Sequence, residues 1–479
     1  MIGPPNIPIR EVLLSFNINK LLDIFTNADT FYRIADTPLR FVFFITSIIF
    51  FILMLFKRKQ KTNIPKFIMF TMPIAVYLFI ITILTTNGIY NYIAIFIILM
   101  SFYFSIFYSK NNLSSSEVLI IFSYLGIFLI PFYSSLFHET TFSEVDNYTR
   151  FLLVIPVYLT LREIEFSSFN FFTVINITSI LIGLFSIYCL LALGETRVRG
   201  FTSTALIFGN ISLLFSLFSF LTISYYRKHN KNIFFPIIAS SFSFFAWSAT
   251  GSRGSVILII IFLILLMTKQ FKTVLKLSNN LIMLIILITT MIFIYSPVLT
   301  RYSNAYQSTY NYITEGSKHY WMHSDSIVPR INIWKGAVIL IKKNTISGVG
   351  LNNFNSFLAK EIELKSIQPM RTFSDNPTAG MNHAHNQYLD IFVKTGVFGF
   401  ISLIFFIIMH LYFFYDRYKS SKEDDVKLIS LFGVVSIFGY ISYMLTHSIL
   451  SHQLSTLFMT LLLIILSAII TNKLENNRR

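Results

Sequence analysis

Apolar runs recur along nearly the whole sequence, and most are about 17 to 25 residues long, the helix length that crosses ~30 Å of hydrocarbon. They are rich in Ile, Leu and Phe and lack the two-residue alternation of barrel strands, so they predict helices. We therefore expect an all-α polytopic integral membrane protein with about 12–13 transmembrane helices. The predicted spans are 40–56, 67–86, 91–108, 117–136, 149–161, 169–193, 204–226, 232–250, 255–268, 281–298, 390–415, 426–446 and 452–471.

The composition excludes a soluble globular domain, because 54% of the residues are hydrophobic and only 13% are charged. The net charge of +16 could suit a nucleic-acid partner, but the basic residues lie mostly in short loops beside apolar runs. The positive-inside rule and contact with anionic membrane lipids account for that charge, so no nucleic acid is expected. Cys189 is the single cysteine, which excludes an intramolecular disulfide and a cysteine-based zinc site.

The basic loops predict how the chain is oriented. If every predicted span is real, the Lys/Arg-rich loops fall on one side, which is the cytoplasm. The opposite side receives a hydrophilic insertion that is too long to be a connector. The predicted regions are an interfacial amphipathic segment (1–39), a first transmembrane bundle (40–298), a large extracytoplasmic loop domain carrying part of the active site (299–389), and C-terminal transmembrane helices with a cytoplasmic tail (390–479).

The insertion is predicted to contain a helix after Pro329. There "RINIWKGAVILIKK" has apolar residues at helical spacing and is followed by the glycines of "SGVG". Residues 355–380 are polar and contain prolines, so they predict loops. The face of the helix predicted to be buried consists of Ile331, Trp334, Ala337, Val338 and Ile341.

Several cations lie on the side where the positive-inside rule predicts few. Guanidinium groups bind phosphate oxygens through paired hydrogen bonds and keep their charge, so such a cluster suits a diphosphate. Arg253 is flanked by small residues in "TGSRGS", which leave room for a ligand. The alternative is that each side chain extends to lipid headgroups. The cations are Arg197, Arg199, Arg253, Arg301, Arg330 and Lys335.

His383 and His385 precede the span at 390–415 and are candidates for proton transfer, since a neutral imidazole can take a proton from a hydroxyl group. An alternative is that they only cap the helix. A metal site is disfavoured, because the H-x-H spacing differs from the i, i+4 pair of a helical zinc site and no cysteine or carboxylate cluster lies nearby. The remaining histidines, such as His229, His410 and His447, are predicted to be incidental.

The chain resembles the O-antigen ligase and O-antigen polymerase superfamily of bacterial envelope enzymes. The most specific match is His385-Asn386, followed after nine residues by Gly396-Val397-Phe398-Gly399. The order of "TGSRGS", "RYSNA", "PRINIWKGA" and "SGVGLNNF" ahead of the histidine motif also resembles the family. The resemblance covers residues from about 197 to 415, and the earlier part matches only as a series of membrane helices.

The resemblance implies a metal-independent, inverting glycosyltransferase without a cofactor, in the bacterial inner membrane with its active site facing the periplasm. The implied donor is a glycan linked to undecaprenyl diphosphate, and the implied acceptor is lipid A-core or a second lipid-linked glycan. By the family pattern, Arg253 and Arg330 hold the diphosphate and His385 activates the acceptor hydroxyl. Weaker correspondences assign Arg301 and Arg197 to diphosphate binding and His383 and Asn386 to supporting roles.

Two other functions remain open on the sequence. A polymerase would join one lipid-linked repeat to another, whereas the ligase attaches the glycan to lipid A-core. The ligase is preferred because one large outer domain separates the last arginine from the histidine motif. A transporter or flippase for lipid-linked sugars would instead place cations near the membrane midplane and have pseudo-symmetric halves.

Overall fold

The structure, a computed structural model, describes residues 66–107, 113–140, 142–267, 297–315, 327–367 and 381–476. Regular structure in these ranges consists of fourteen α-helices and two short 3-10 helices, which confirms the predicted all-α polytopic fold. The helices are α1 (Lys66–Thr82), α2 (Ile89–Phe107), α3 (Ser115–Phe137), α4 (Asp146–Leu161), α5 (Ser168–Leu191), α6 (Ala205–Lys228), α7 (Phe234–Ala249), α8 (Val256–Met267), α9 (Pro297–Glu315), α10 (Ile327–Lys343), α11 (Phe354–Glu363), α12 (Gln387–Ser420), α13 (Asp424–Thr446) and α14 (Gln453–Asn476).

Seven of the described helices are long and apolar enough to cross a membrane: α2, α3, α5, α6, α12, α13 and α14. Three shorter apolar helices, α1, α7 and α8, also coincide with predicted spans. The predicted span 149–161 corresponds to α4. The interfacial segment 1–39, the span 40–56 and nearly all of the span 281–298 lie outside the described residues.

Two helices form the centre of the bundle. The whole apolar window of α14 is buried, and it packs against α4 and α13. Nearly every residue of α4 from Tyr148 onward is buried as well, including the polar Thr160. Thr160 lies beside Ser105 and donates to the Ser101 carbonyl at 3.2 Å, so the polar groups of this core bond to one another.

The bundle has two chemically different ends. At one, here called the basic end, ion pairs join neighbouring helices: Lys228 with Asp424 at 2.6 Å and Lys473 with Asp425 at 3.8 Å. At the other, here called the histidine end, the loops 192–204, 249–256, 381–387 and 446–453 come together. Side chains from separate parts of the sequence can therefore share one site there.

The helix α12 is interrupted at Gly396, whose φ of 69° and ψ of −166° are open almost exclusively to glycine. As one straight helix its 34 residues would reach ~51 Å, more than the ~30 Å of hydrocarbon. The break divides it into a short segment, 387–395, and a longer one that crosses the membrane. A Cβ atom at Gly396 would overlap the Ile346 carbonyl group, so a side chain is excluded there.

A second, smaller apolar core lies between α10, α11 and the first segment of α12. It corrects two predictions. The helix at α10 is confirmed, but its buried face is formed by Ile333, Ala337 and Leu340, and Val338 is 41% exposed. Residues predicted as loops from 355 include most of α11, because Phe354 and Leu358 lie one turn apart and pack into this core.

The break in α12 generates a stability prediction. Replacing Gly88, which has a φ of 79° and no atom within 4 Å of a built Cβ, by alanine introduces only left-handed strain. We expect Gly88→Ala to lower the unfolding free energy by about 1–2 kcal/mol. Gly396→Ala adds the overlap with Ile346, and we expect it to cost about 3 kcal/mol or more. Melting temperatures in detergent test this; equal shifts in the two variants would contradict the constraint.

Candidate functional site

Four histidine rings meet at the histidine end. The centroids of His383 and His385 lie 4.3 Å apart, and those of His447 and His452 lie 4.5 Å apart. The two pairs approach each other at 5.7 Å between His383 and His452 and 6.1 Å between His385 and His447. His447, predicted to be incidental, thus lies beside the motif histidines, and so does His452, which was not singled out from the sequence.

Two consecutive side chains bring the histidine pairs together. Asn386 caps α12 by accepting hydrogen bonds from the Tyr388 and Leu389 amides at 3.0 and 3.1 Å, and its own amide donates to the Leu445 carbonyl at 3.1 Å. Gln387 accepts a bond from the Leu450 amide at 2.8 Å. These contacts hold the turn before α12 against the loop between α13 and α14, so Asn386 supports the site through structure.

A buried ion pair holds the turn that carries His383 and His385. The fully buried Asp390 accepts a bond from the Ala384 amide at 2.8 Å and pairs with Lys394 at 3.1 Å. His385 has a φ of 51°, a left-handed conformation uncommon for a side chain of this size. The Asp390 contact and the Asn386 cap lie on either side of this strained residue and hold it in place.

Buried polar atoms without a hydrogen-bond partner collect at this cluster. Native proteins pair most buried polar groups, so such a set needs a physical explanation. His447 is only 2% exposed, and Gln387 is fully buried. The unpaired atoms, among the described residues, are Nδ1 of His383, Nδ1 of His385, both ring nitrogens of His447, Nε2 of His452, Oγ of Ser448 and Nε2 of Gln387. Their convergence suits a ligand rich in hydrogen-bonding groups.

Burial keeps these imidazoles uncharged at neutral pH. It is the main cause that lowers the pKa of His385 from 6.5 to about 3, and the charges of His383 and Arg330 add to it. Burial and the charge of His383 likewise lower the pKa of His452 to about 4, although Asp390 opposes them. The pKa values of His383 and His447 are lowered by burial as well. Each ring therefore offers one donor and one acceptor.

Arg330 lies beside the histidine cluster. Its positive charge helps to lower the pKa of His383, His385 and His447. One helical turn further along α10, Trp334 donates from its indole nitrogen to the Ala384 carbonyl at 2.9 Å, which fixes α10 against the turn between the two motif histidines. This packing places α10, which carries Arg330, against the turn that bears His383 and His385.

The loop that carries Arg253 reaches the same end. A Cβ atom on the adjacent Gly254 would overlap the side chain of Thr446, the residue before His447. The Arg197 guanidinium donates to the Thr250 carbonyl at 2.7 Å, so the two arginine loops are joined. Ser203, in the same loop as Arg197, lies 3.3 Å from Nδ1 of His452.

The other predicted cations lie on α9, on α10 and in the loop 192–204. The backbone of Arg301 lies near the start of α9, which packs against α7 and α10, and its side chain is outside the description. Lys335 is exposed on α10. Arg199 donates its amide to Glu195 at 2.8 Å within its own loop.

The paired histidine rings differ in their mutual orientation. Among the described residues, no group of three or more His, Cys, Asp or Glu side chains is arranged to hold a metal ion. The paired rings are edge-to-face in one case, at 89°, and stacked in the other, at 25°.

The sequence held one signal for the missed pair. His447 lies in the short connection between the last two predicted spans, 426–446 and 452–471, and His452 is the first residue of the second of these spans. Two spans after the histidine motif, this connection returns to the same side of the membrane by topology alone. Residue spacing gave no sign of it.

Comparison with known proteins gives a family match for this region. Residues 238–404 match the O-antigen ligase family, which confirms the resemblance over this part of the chain. The match includes Arg253, Arg330 and His385, whereas His447 and His452 lie outside it. Over 405 residues the chain is also 28% identical to an uncharacterized protein of Haemophilus influenzae, covering 82% of this chain and 96% of that one.

The lowered histidine pKa values predict acid sensitivity. Between pH 6.5 and about 4, the unfolded chain binds protons at His452 that the folded chain does not, so stability is complete above pH 6.5 and falls below it. We expect the melting temperature in detergent to fall from pH 7 to pH 5, and to fall less steeply in His452→Gln. A melting temperature that stays constant across this range would contradict the burial of neutral imidazoles.

Proposed function

We propose that this protein is a metal-independent, inverting glycosyltransferase of the O-antigen ligase type. It transfers an O-antigen-type glycan from undecaprenyl diphosphate to a sugar hydroxyl of lipid A-core in lipopolysaccharide biosynthesis. The observation that carries the proposal is the position of His385 and Arg330, which interact electrostatically within a region matched to the O-antigen ligase family. An acceptor-activating group and a cation for the leaving group are the two parts that such a transfer needs.

His385 is proposed to act on the acceptor. Its lone pair is free at neutral pH and accepts the hydroxyl proton while the hydroxyl oxygen bonds to the anomeric carbon of the donor. Attack from the face opposite the diphosphate inverts the configuration. With a pKa of about 3 the ring by itself is a weak base. A bound diphosphate offsets the charge of Arg330 and raises this pKa, so base strength increases once the donor is present.

Arg330 and Arg253 are proposed to act on the leaving group. As the bond between the anomeric carbon and the diphosphate oxygen breaks, its electron pair leaves with undecaprenyl diphosphate. Permanently charged guanidinium groups stabilise that developing charge and hold phosphate oxygens in a fixed geometry. Arg197 and Arg301 are proposed as further diphosphate contacts. The energy of the glycosyl phosphate bond drives transfer, so no cofactor is required.

The proposed location is the bacterial inner membrane, with the active site facing the periplasm. Basic side chains such as Arg227, Lys228, Lys231 and Lys473 lie at the basic end, which the positive-inside rule assigns to the cytoplasm. The histidine end then faces the opposite compartment. The residues 299–389 are proposed to form the periplasmic domain, and the small apolar core around Ile333 supports that division.

A chromosomal deletion distinguishes the ligase from the O-antigen polymerase of the same superfamily. We expect loss of this gene to leave polymerised chains on the polyprenyl carrier, because their transfer to lipid A-core fails. Single repeats attached to lipid A-core would instead identify a polymerase. Gel analysis of lipopolysaccharide from the deletion strain, complemented with the intact gene as control, separates the two phenotypes.

A lipid-linked oligosaccharide transporter or flippase is the second alternative. The purified chain, mixed with lipid-linked saccharide and rough lipopolysaccharide in detergent, should form product without added nucleotide. Failure to form product under these conditions would favour transport. Arg197, Arg253 and Arg330 lie at one end of the bundle, which supports the enzyme.

Two substitutions test the assigned roles. We expect His385→Ala to abolish transfer while donor binding is kept, because it removes the proton acceptor. We expect Arg330→Ala to weaken donor binding by about 10-fold or more, the effect of losing a charge-assisted hydrogen bond of about 1.5–3 kcal/mol. Lys342→Ala, an exposed cation on the same helix, is the matched control. Transfer rates and donor titrations measure both effects, and normal activity in His385→Ala would exclude its role.

A further inference from the structure

The loop between α13 and α14 presents polar groups that the proposed transfer does not use. His447 and Ser448 are buried, and neither ring nitrogen of His447 nor the Ser448 hydroxyl has a partner within the described residues. Nε2 of His452 likewise has no hydrogen-bond partner within the described residues. The Asn386 and Gln387 contacts hold this loop in place, so its side chains are presented in a defined arrangement.

The chemistry of these groups selects the kind of ligand. Neutral imidazoles and a hydroxyl can each both donate and accept a hydrogen bond, and they carry no charge. A diphosphate is better served by the arginines, which leaves the imidazoles for an uncharged, polyhydroxylated molecule. A sugar hydroxyl both donates and accepts, so it can satisfy one ring nitrogen of each type. Ring centroids 4.3 to 6.2 Å apart span a region comparable with a single sugar ring.

We propose that His447, His452 and Ser448 form, together with His383, a subsite that binds the hydroxyl groups of the acceptor sugar beside His385. The inference rests on the proposed function, since it requires a sugar acceptor. It extends the site beyond residues 238–404, which match the family, to a loop nearly fifty residues further along the chain. His447 and His452 are binding residues here, and proton transfer remains with His385.

Ser203 sets the orientation of His452. Its hydroxyl lies 3.3 Å from Nδ1 of the ring, and Nε2, the opposite nitrogen, is then the one left for the acceptor. Ser203 belongs to the loop that also carries Arg197, which is bonded to the Arg253 loop. The donor side and the acceptor side of the site are thereby connected through a short stretch of backbone.

Steady-state kinetics with the purified full chain test the subsite. With saturating lipid-linked donor, we expect His452→Ala to raise the KM for the acceptor by about 2- to 12-fold, the effect of losing one neutral hydrogen bond, with the KM for the donor unchanged. His452→Gln should recover part of the loss, because an amide also donates and accepts. His229→Ala, an exposed histidine at the basic end, should change neither constant.

A second variant covers the case in which His452→Ala fails to fold. Ser203→Ala leaves the ring in place but releases Nδ1, so we expect a smaller rise in the acceptor KM. Melting temperatures identify variants that are folded. An unchanged acceptor KM in folded His452→Ala and in Ser203→Ala overturns the subsite, and so does a donor KM that rises instead. Activity that EDTA removes and zinc restores also overturns it, because the imidazoles would then be metal ligands.

Two acceptors and a binding measurement separate this inference from the proposed function. Rough lipopolysaccharide and a second lipid-linked repeat carry the same hydroxyl chemistry, and the one whose KM responds to His452→Ala identifies the acceptor. Equilibrium binding of each acceptor to the protein in nanodiscs does not depend on turnover. Absence of transfer by the unmodified protein, with binding still weakened in His452→Ala, overturns the proposed function and keeps the subsite. Equal binding by both proteins overturns the subsite.

Discussion

The left-handed backbone at Gly396 releases carbonyl groups of α12 from helical hydrogen bonding, and the segment after α10 takes them up. The Val393 carbonyl accepts a bond from the Val349 amide at 2.8 Å, and the Lys394 carbonyl accepts one from the Gly350 amide at 3.0 Å. The Val397 amide beyond the break donates to the Thr345 carbonyl at 2.8 Å. These bonds anchor the end of α10 to α12. Arg330, on α10, and the histidines before α12 are thereby held in one frame.

Charge is distributed unevenly at this end of the bundle. The histidines remain neutral because water is excluded from them, whereas the guanidinium groups keep their charge in any environment that a protein provides. Arg330 also affects the histidines, because its positive charge makes protonation of His385 still less favourable. In the proposed mechanism, an anionic substrate placed between them changes that balance in favour of proton transfer. Substrate binding and base strength are then linked by electrostatics alone, without movement of the backbone.

The features predicted best from the sequence are those that depend on local properties, such as the membrane spans. The length of an apolar run decides whether it can span a membrane, and α2 through α8 followed the predicted spans closely. The buried face of α10 was mispredicted, because Gly336 lets Leu358 and Ile367 approach closely, and those partners lie in a later part of the chain. His447 was missed for a similar reason. Its place depends on tertiary bonds of Asn386 and Gln387, which no spacing pattern encodes.

The burial of α14 has a consequence for how the protein is made. This helix is enclosed by α4, α12 and α13, all of which precede it in the chain and therefore leave the ribosome first. Until α14 inserts, the earlier helices lack the partner that fills the centre of the bundle. His452 immediately precedes α14, so the histidine set is completed only at that late step of biosynthesis. A partly synthesised chain that lacks α14 therefore lacks the complete set of four histidines.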